Sequence, residues 1–443
     1  MLLRERAAAA LLVITALAAS GCVNGQSRDI PPGPTAVPPG SSVFVYVAQA
    51  RDPQFGTNGG AVSVYQLGAD GFLPGGPPKA SVTAVNPRRL VRHPDLPVLY
   101  VATASQVLAF DITDGTLVSL CGPDGGAAPP CATAPAPGSN PVDMKFLRNS
   151  DGRWLLYVVE RGGGNNLDTL TRVVAYELLD DGGLPSQPSS QVQTNSALSY
   201  QGAEFTQEYA FIADAGQSNI TRFPLRADGN LPNPIPTGTP LTPTPTPEPD
   251  PTPTPDASPS PTAWRASNPS RMIKAEVPAE PSTEPTPSGT VFYVVEQGRR
   301  RIGAIPVYND GTLPKNPTSE SNTRGIYNSI IVDADFTPNR IYGAALQNGQ
   351  VDSFQVDSDG NIIDGTLSAT FANTASYPTG VALVSFTPAG GSPTRTLFVS
   401  LGGFNRVDAY AVNPDGTLPE LPYSSTEPMN DTFPADVLVY VTE

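Results

Sequence analysis

Histidine is nearly missing from this 443-residue chain, which has one, His93. A metal centre built on several histidines is thereby excluded. Basic residues are scarce too, 26 against 41 acidic, for a net charge of −15. Nothing supplies the cationic face that nucleic-acid binding needs. No paired-cysteine zinc spacing, Gly-x-Ser-x-Gly elbow or Gly-Lys phosphate loop is present. The N-terminal apolar run, Ala7 to Ala19, covers 13 residues, short of the roughly 20 that cross a bilayer as a helix. Proline and glycine, by contrast, are abundant, at 51 and 41 residues. Both break helix interiors, so a mostly helical protein is ruled out. An apolar share of 39% is more than a wholly disordered chain carries. The composition predicts a turn-rich all-β protein.

Arg4 and Arg6 precede the apolar run, and Ala19-Ser20-Gly21-Cys22 closes it. This ending resembles a bacterial lipobox, whose cysteine is acylated and becomes the first residue of the processed chain. Residues 1–22 are read as a lipoprotein signal and 23–40, with five prolines, as a tether. The expected location is extracytoplasmic, in the cell envelope, with the lipid on Cys22 as the sole membrane contact. Cys121 and Cys131 remain, an even pair in an exported chain, and a disulfide is the default expectation.

Beyond residue 40 the chain repeats itself. Asp-Gly, one residue, then an apolar residue marks seven successive copies of a repeat, at Asp70, Asp114, Asp181, Asp228, Asp310, Asp359 and Asp415. Glycine there accepts the positive φ that a tight turn requires. Ahead of each turn lie two runs rich in β-branched and aromatic residues, such as Phe44-Val-Tyr-Val-Ala48 and Val62-Ser-Val-Tyr65. Six copies also have an earlier strand opening near Pro or Tyr, as in Pro141-Val-Asp-Met-Lys145. The first copy lacks one, and the C-terminal Pro434-Ala-Asp-Val-Leu438 supplies it. Four-stranded antiparallel units closed by the two chain ends predict a seven-bladed β-propeller over 41–443. Pro/Thr-rich residues 233–265 and Pro-rich residues 276–290 are read as inserts outside that pattern.

The Tyr-Val-Ala strands, the Asp-Gly-x-Leu turns and Arg92-His93-Pro94-Asp95 resemble the seven-bladed lactonase propellers. These include 6-phosphogluconolactonase-type enzymes and proteins with Tyr-Val-Thr-Asn repeats. The resemblance implies hydrolysis of a small lactone or carboxylic ester. Its motifs specify blades rather than chemistry.

Propeller topology brings the starts of the innermost strands and the ends of the second strands to one face. The third residue of each opening motif is Arg89, Asp143, Gly202, Arg271, Ser329, Gly380 or Asp436. Two steps on, and hence on the same side of a strand, stand Val91, Lys145, Glu204, Ile273, Ile331, Ala382 and Leu438. Second strands end in acids at Glu160, Asp214 and Glu296, and a loop there holds Arg300. Arg89, Arg271, Asp436, Glu160, Asp214, Glu296 and Arg300 are the expected ligand-binding set, suited to a small anionic ligand or lactone. Lactone hydrolysis also needs a base to activate water, and Glu204 or Asp143 is expected to provide it. The competing expectation is that these charges pair with one another in a non-catalytic surface module that binds a ligand or protein. His93 falls on the opposite face and is expected to be structural. Asp357-Ser-Asp-Gly-Asn-Ile-Ile-Asp364 partly resembles a calcium loop but coincides with a blade turn. No metal, cofactor or nucleic-acid partner is expected, and the protein is expected to be monomeric.

Overall fold

The computed structural model describes residues 41–51, 59–120, 139–162, 171–185, 187–193, 200–215, 218–234, 269–277, 287–333, 339–346, 348–363, 368–370, 376–386, 394–429 and 432–442. The expectations for the signal and tether, Cys22, Cys121, Cys131 and most of the two Pro-rich inserts fall outside these residues.

Seven antiparallel sheets form the blades of a propeller. The innermost strand of blade one is Thr432–Val441, and Val43–Arg51, Gly60–Gln66 and Ala80–Thr83 follow outward. The C-terminal strand therefore closes the ring, as the missing first strand predicted. Blades two to seven begin on Arg89–Arg92, Ser139–Arg148, Tyr200–Phe205, Pro269–Glu276, Tyr327–Asp333 and Pro378–Phe386. Five blades have four strands; blade three has a fifth, Asn233–Pro234, and blade four shows three among the described residues. The cause lies in the turn before that short strand. The Leu231 N–H donates to Ser190 Oγ of blade three, and Asn230 Oδ1 accepts from Ser189 and Ser190. The segment is thus tied to its neighbour's outer strand.

All seven Asp-Gly turns place glycine at positive φ, between 67° and 83°. A side chain there would also strike the preceding blade: a Cβ on Gly229 would lie 2.9 Å from Leu155 Cδ1. In five of the turns the aspartate accepts the N–H two residues on, as Asp181 does from Gly183 at 2.8 Å. The neighbouring blade then clasps the turn. The Tyr100 hydroxyl donates to the Gly182 carbonyl at 2.5 Å, Tyr293 to Gly360 at 3.0 Å and Tyr342 to Gly416 at 2.9 Å. Blades four and seven carry Phe211 and Phe398 at this strand position. There Arg222 donates to the Asp310 carbonyl, and Tyr423 to that of Gly71. Apolar side chains gather in seven clusters, one between each pair of adjacent blades. Burial there is the main attraction holding blade to blade.

His93 lies in the turn after the inner strand of blade two, 2% exposed, with its ring 5.7 Å from that of Trp154. Its Nδ1 accepts the N–H groups of Asp95 and Leu96. Burial lowers its pKa to about 4, Asp95 opposing and Arg92 assisting. The folded pKa thus lies below the unfolded value of about 6.5. Its contribution is full above pH 6.5 and is lost as pH falls toward 4. His93→Asn keeps a turn acceptor without the titration. The variant is expected to show a flatter fall of melting temperature between pH 7 and 4.5; an unchanged slope overturns this role.

Candidate active site at the mouth of the central channel

Inner strands do not run straight into the channel. Each of those opening at Pro141, Tyr200, Pro269, Tyr327, Pro378 and Pro434 has a register shift just after its opening residue. Such a bulge inserts one unpaired residue and bends the strand. Two consecutive residues then serve the channel mouth instead of one. The inserted residues Asn328, Thr379 and Ala435 line a cavity of about 310 Å³, together with Ala50, Asn86, Arg88, Arg89, Arg271, Phe433 and Asp436.

Beneath the cavity lies the tier read from sequence. Arg89 of blade two stands between the acids of its neighbours: Nε is 3.7 Å from Asp143 Oδ1, and Nη1 is 3.5 Å from Asp436 Oδ2. Each aspartate also accepts a backbone N–H from the next blade, Asp436 from Leu90 at 2.9 Å and Asp143 from Ala203 at 3.4 Å. Small neighbours make the room. A Cβ on Gly380 would lie 2.6 Å from Asp436 Oδ1, and one on Gly202 would lie 3.4 Å from Asp143 Oδ2. Arg271 crosses the channel, donating from Nε to the Asn328 carbonyl of blade six at 2.8 Å and from Nη1 to the Val142 carbonyl of blade three at 3.2 Å. Both acceptors are bulge residues, so the irregular backbone fixes this guanidinium. Burial pushes the Asp436 carboxyl above the usual range, with Arg89, the Leu90 N–H and Arg271 pulling against it.

Glu204 sits one step further down the channel. It is fully buried, and its Oε1 accepts from Lys145 Nζ at 2.7 Å. Burial raises its pKa, against the pull first of Lys145 and then of Lys274. Neither Glu204 nor Asp143 is among the residues lining the cavity, whereas Asp436 is. The acids at the second-strand ends are buried as well. Glu160 pairs with Arg172 across the blade at 2.5 Å, and Glu296 pairs with Arg301 at 2.9 Å. Asp214 is 3% exposed at its strand end, and Arg300 lies exposed in a turn at φ 50°. The structure therefore brings Arg89, Arg271, Asp143 and Asp436 together and holds Glu160 and Glu296 in separate cross-strand pairs.

Arg88, Asn328, Thr379, Ala435 and Phe433 were not anticipated as lining residues. Strict two-residue alternation skips the residue inserted at a bulge; the recurrent Pro or Tyr before each inner strand was the available sign. Among the described residues, no group of three or more His, Cys, Asp and Glu side chains is arranged to hold a metal.

No protein-family profile and no curated protein sequence matches the chain. Solved structures do. A periplasmic gluconolactonase from Pseudomonas aeruginosa aligns at 16% identity over 90% of this chain and 99% of its own, with a TM-score of 0.57. A candidate 6-phosphogluconolactonase from Bacteroides fragilis aligns at 15% identity over 91% and 99%, with a TM-score of 0.55. A Lactobacillus plantarum protein aligns at 13% identity over 91% and 100%, at 0.56. What the chain shares with them is the fold, over about nine-tenths of its length.

Proposed function

We propose that this protein is a lactonase-type hydrolase whose site is the cavity at the channel mouth. The observation that carries the reading is the juxtaposition there of the guanidinium groups of Arg88, Arg89 and Arg271 with the Asp436 carboxylate. Asp436 takes a proton from a water as that water attacks the lactone carbonyl carbon. Arg271, anchored through Nε and Nη1, stabilises the oxyanion that develops, with Arg89 beside it. Collapse of the tetrahedral intermediate breaks the ring C–O bond. The departing oxygen recovers the proton from Asp436, leaving a hydroxy acid. Asp143 holds Arg89 from the other side.

The protein is further proposed to be exported and lipid-anchored through Cys22. In support, the Thr442 N–H donates to the Ser42 carbonyl, at the ends of Val43–Arg51 and Thr432–Val441 remote from Phe433 and Asp436. The first described residues therefore enter the propeller at the end away from the cavity. A non-catalytic binding module is favoured by one observation, the engagement of Asp143 and Asp436 with Arg89. Steady-state assays of the purified protein on a panel of five- and six-membered lactones decide between them. Turnover of at least one, lost in Arg271→Met, is expected. Absence of turnover on every lactone, with hydroxy-acid binding retained, overturns the hydrolase reading.

A further inference from the structure

The guanidinium groups near the cavity fall into two kinds. Arg89 and Arg271 lie among the acids of the tier, where Asp143 and Asp436 balance them. Arg88 and Arg161 do not. Arg88 Nη1 donates to Asn140 Oδ1 at 2.6 Å, and Asn140 is the cross-strand partner of Arg161 in blade three. Partners opposite each other in a sheet project their side chains to the same face. Arg88, Asn140 and Arg161 therefore lie together, and of the three Arg88 lines the cavity. Among the described residues, neither arginine joins a salt bridge. Two like charges held side by side repel. Burial and then the charge of Arg161 lower the Arg88 pKa. In a chain carrying −15 overall, two adjoining guanidiniums with no acidic partner among the described residues, one of them lining the cavity, call for an anion.

We propose that Arg88 and Arg161 form a second anion-binding position at the rim of the cavity, so that the preferred ligand carries two negative charges. This rests on the reading of the cavity as the ligand site. The deep position, Arg271 with Arg89, receives the reacting or first acidic group. The rim position receives the second, a carboxylate or a phosphate, either of which matches the guanidinium fork. The rim arginines thus set charge preference, while the deep tier binds any acid that fits.

Calorimetry on the full protein with malonate, inorganic phosphate and acetate tests this. Malonate or phosphate is expected to bind at least about tenfold more tightly than acetate. In Arg88→Gln and Arg161→Gln that preference is expected to collapse to about twofold or less, whereas Arg88→Lys and Arg161→Lys retain most of it. Melting temperatures near wild type exclude misfolding, and the lysine variants carry the test should a glutamine variant fail to fold. A dianion preference unchanged in both glutamine variants, or no binding of any of the three anions, overturns the proposal. Failure to hydrolyse any lactone, with the charge preference intact, would instead sink only the hydrolase reading.

Discussion

Lys145→Met is expected to lower the folding stability of the propeller by about 3–5 kcal/mol, because it strands a buried carboxylate. Lys145 Nζ lies 2.7 Å from Glu204 Oε1, with side-chain exposures of 8% and 0%. Removing the ammonium leaves Glu204 with Lys274 as the next cation. That lysine is already occupied, donating to the Phe205 carbonyl at 3.2 Å and lying 3.7 Å from Glu276. The unpaired carboxylate would escape its cost by taking up a proton. Glu204 already has a raised folded pKa, and a raised carboxyl pKa means that the folded state binds the proton more readily than the unfolded one. Stability then falls as pH rises through that interval and recovers as pH falls. The gap between Lys145→Met and wild type is accordingly expected to narrow on acidification. The double variant Lys145→Met, Glu204→Leu should regain most of the loss, because no charge remains to be desolvated. Urea unfolding at pH 7 and pH 5 measures all three. A single variant within about 1 kcal/mol of wild type at both pH values would show that water reaches Glu204 and that the pair is not dry.

This buried pair illustrates what a repeat-containing sequence discloses. Blade number, closure by Pro434 to Leu438 and the positive φ of seven glycines were all legible. Each follows from a local rule applied seven times, and repetition averages out single irregularities. The tier of Arg89, Asp143, Arg271 and Asp436 was legible for the same reason, since one register counted from the opening residue serves every blade. Lys145 and Glu204 fell one step further on in that register, but the pattern does not say which tier is open and which is sealed. That depends on side chains from other blades, above all on Arg271 reaching the Val142 carbonyl. Asn328 escaped notice through its bulge, whose extra residue breaks the two-residue period where the chain turns into the channel, and Arg88 because it stands just ahead of the paired strand Arg89–Arg92. Arg161 escaped differently. Its meaning comes from Asn140 and Arg88, one its cross-strand neighbour and the other in the adjoining blade.

Asp436→Asn is expected to reduce lactone turnover by about 10²–10⁴, the span of a general base, while leaving the fold intact. The substitution keeps the size of the side chain and an oxygen able to accept the Leu90 N–H, which Asp436 now receives at 2.9 Å. Gly380 continues to make room for either group. What is lost is the negative charge. Arg89, 3.5 Å away, then has one carboxylate neighbour in the tier instead of two, so affinity for a simple carboxylate should hold or rise. Falling turnover with rising anion affinity distinguishes a base from a residue that only positions the arginines, whose removal would weaken both. The pH profile adds an independent reading. Wild-type activity should fall on the acid side as Asp436 takes a proton. Burial raises its pKa, so that limb should lie above the roughly 4 of an ordinary carboxyl. In the asparagine variant the limb should vanish from whatever activity remains. Turnover within about threefold of wild type, with the limb retained, would assign the proton to another acid. Asp143, on the other flank of Arg89, would then be the next group to change.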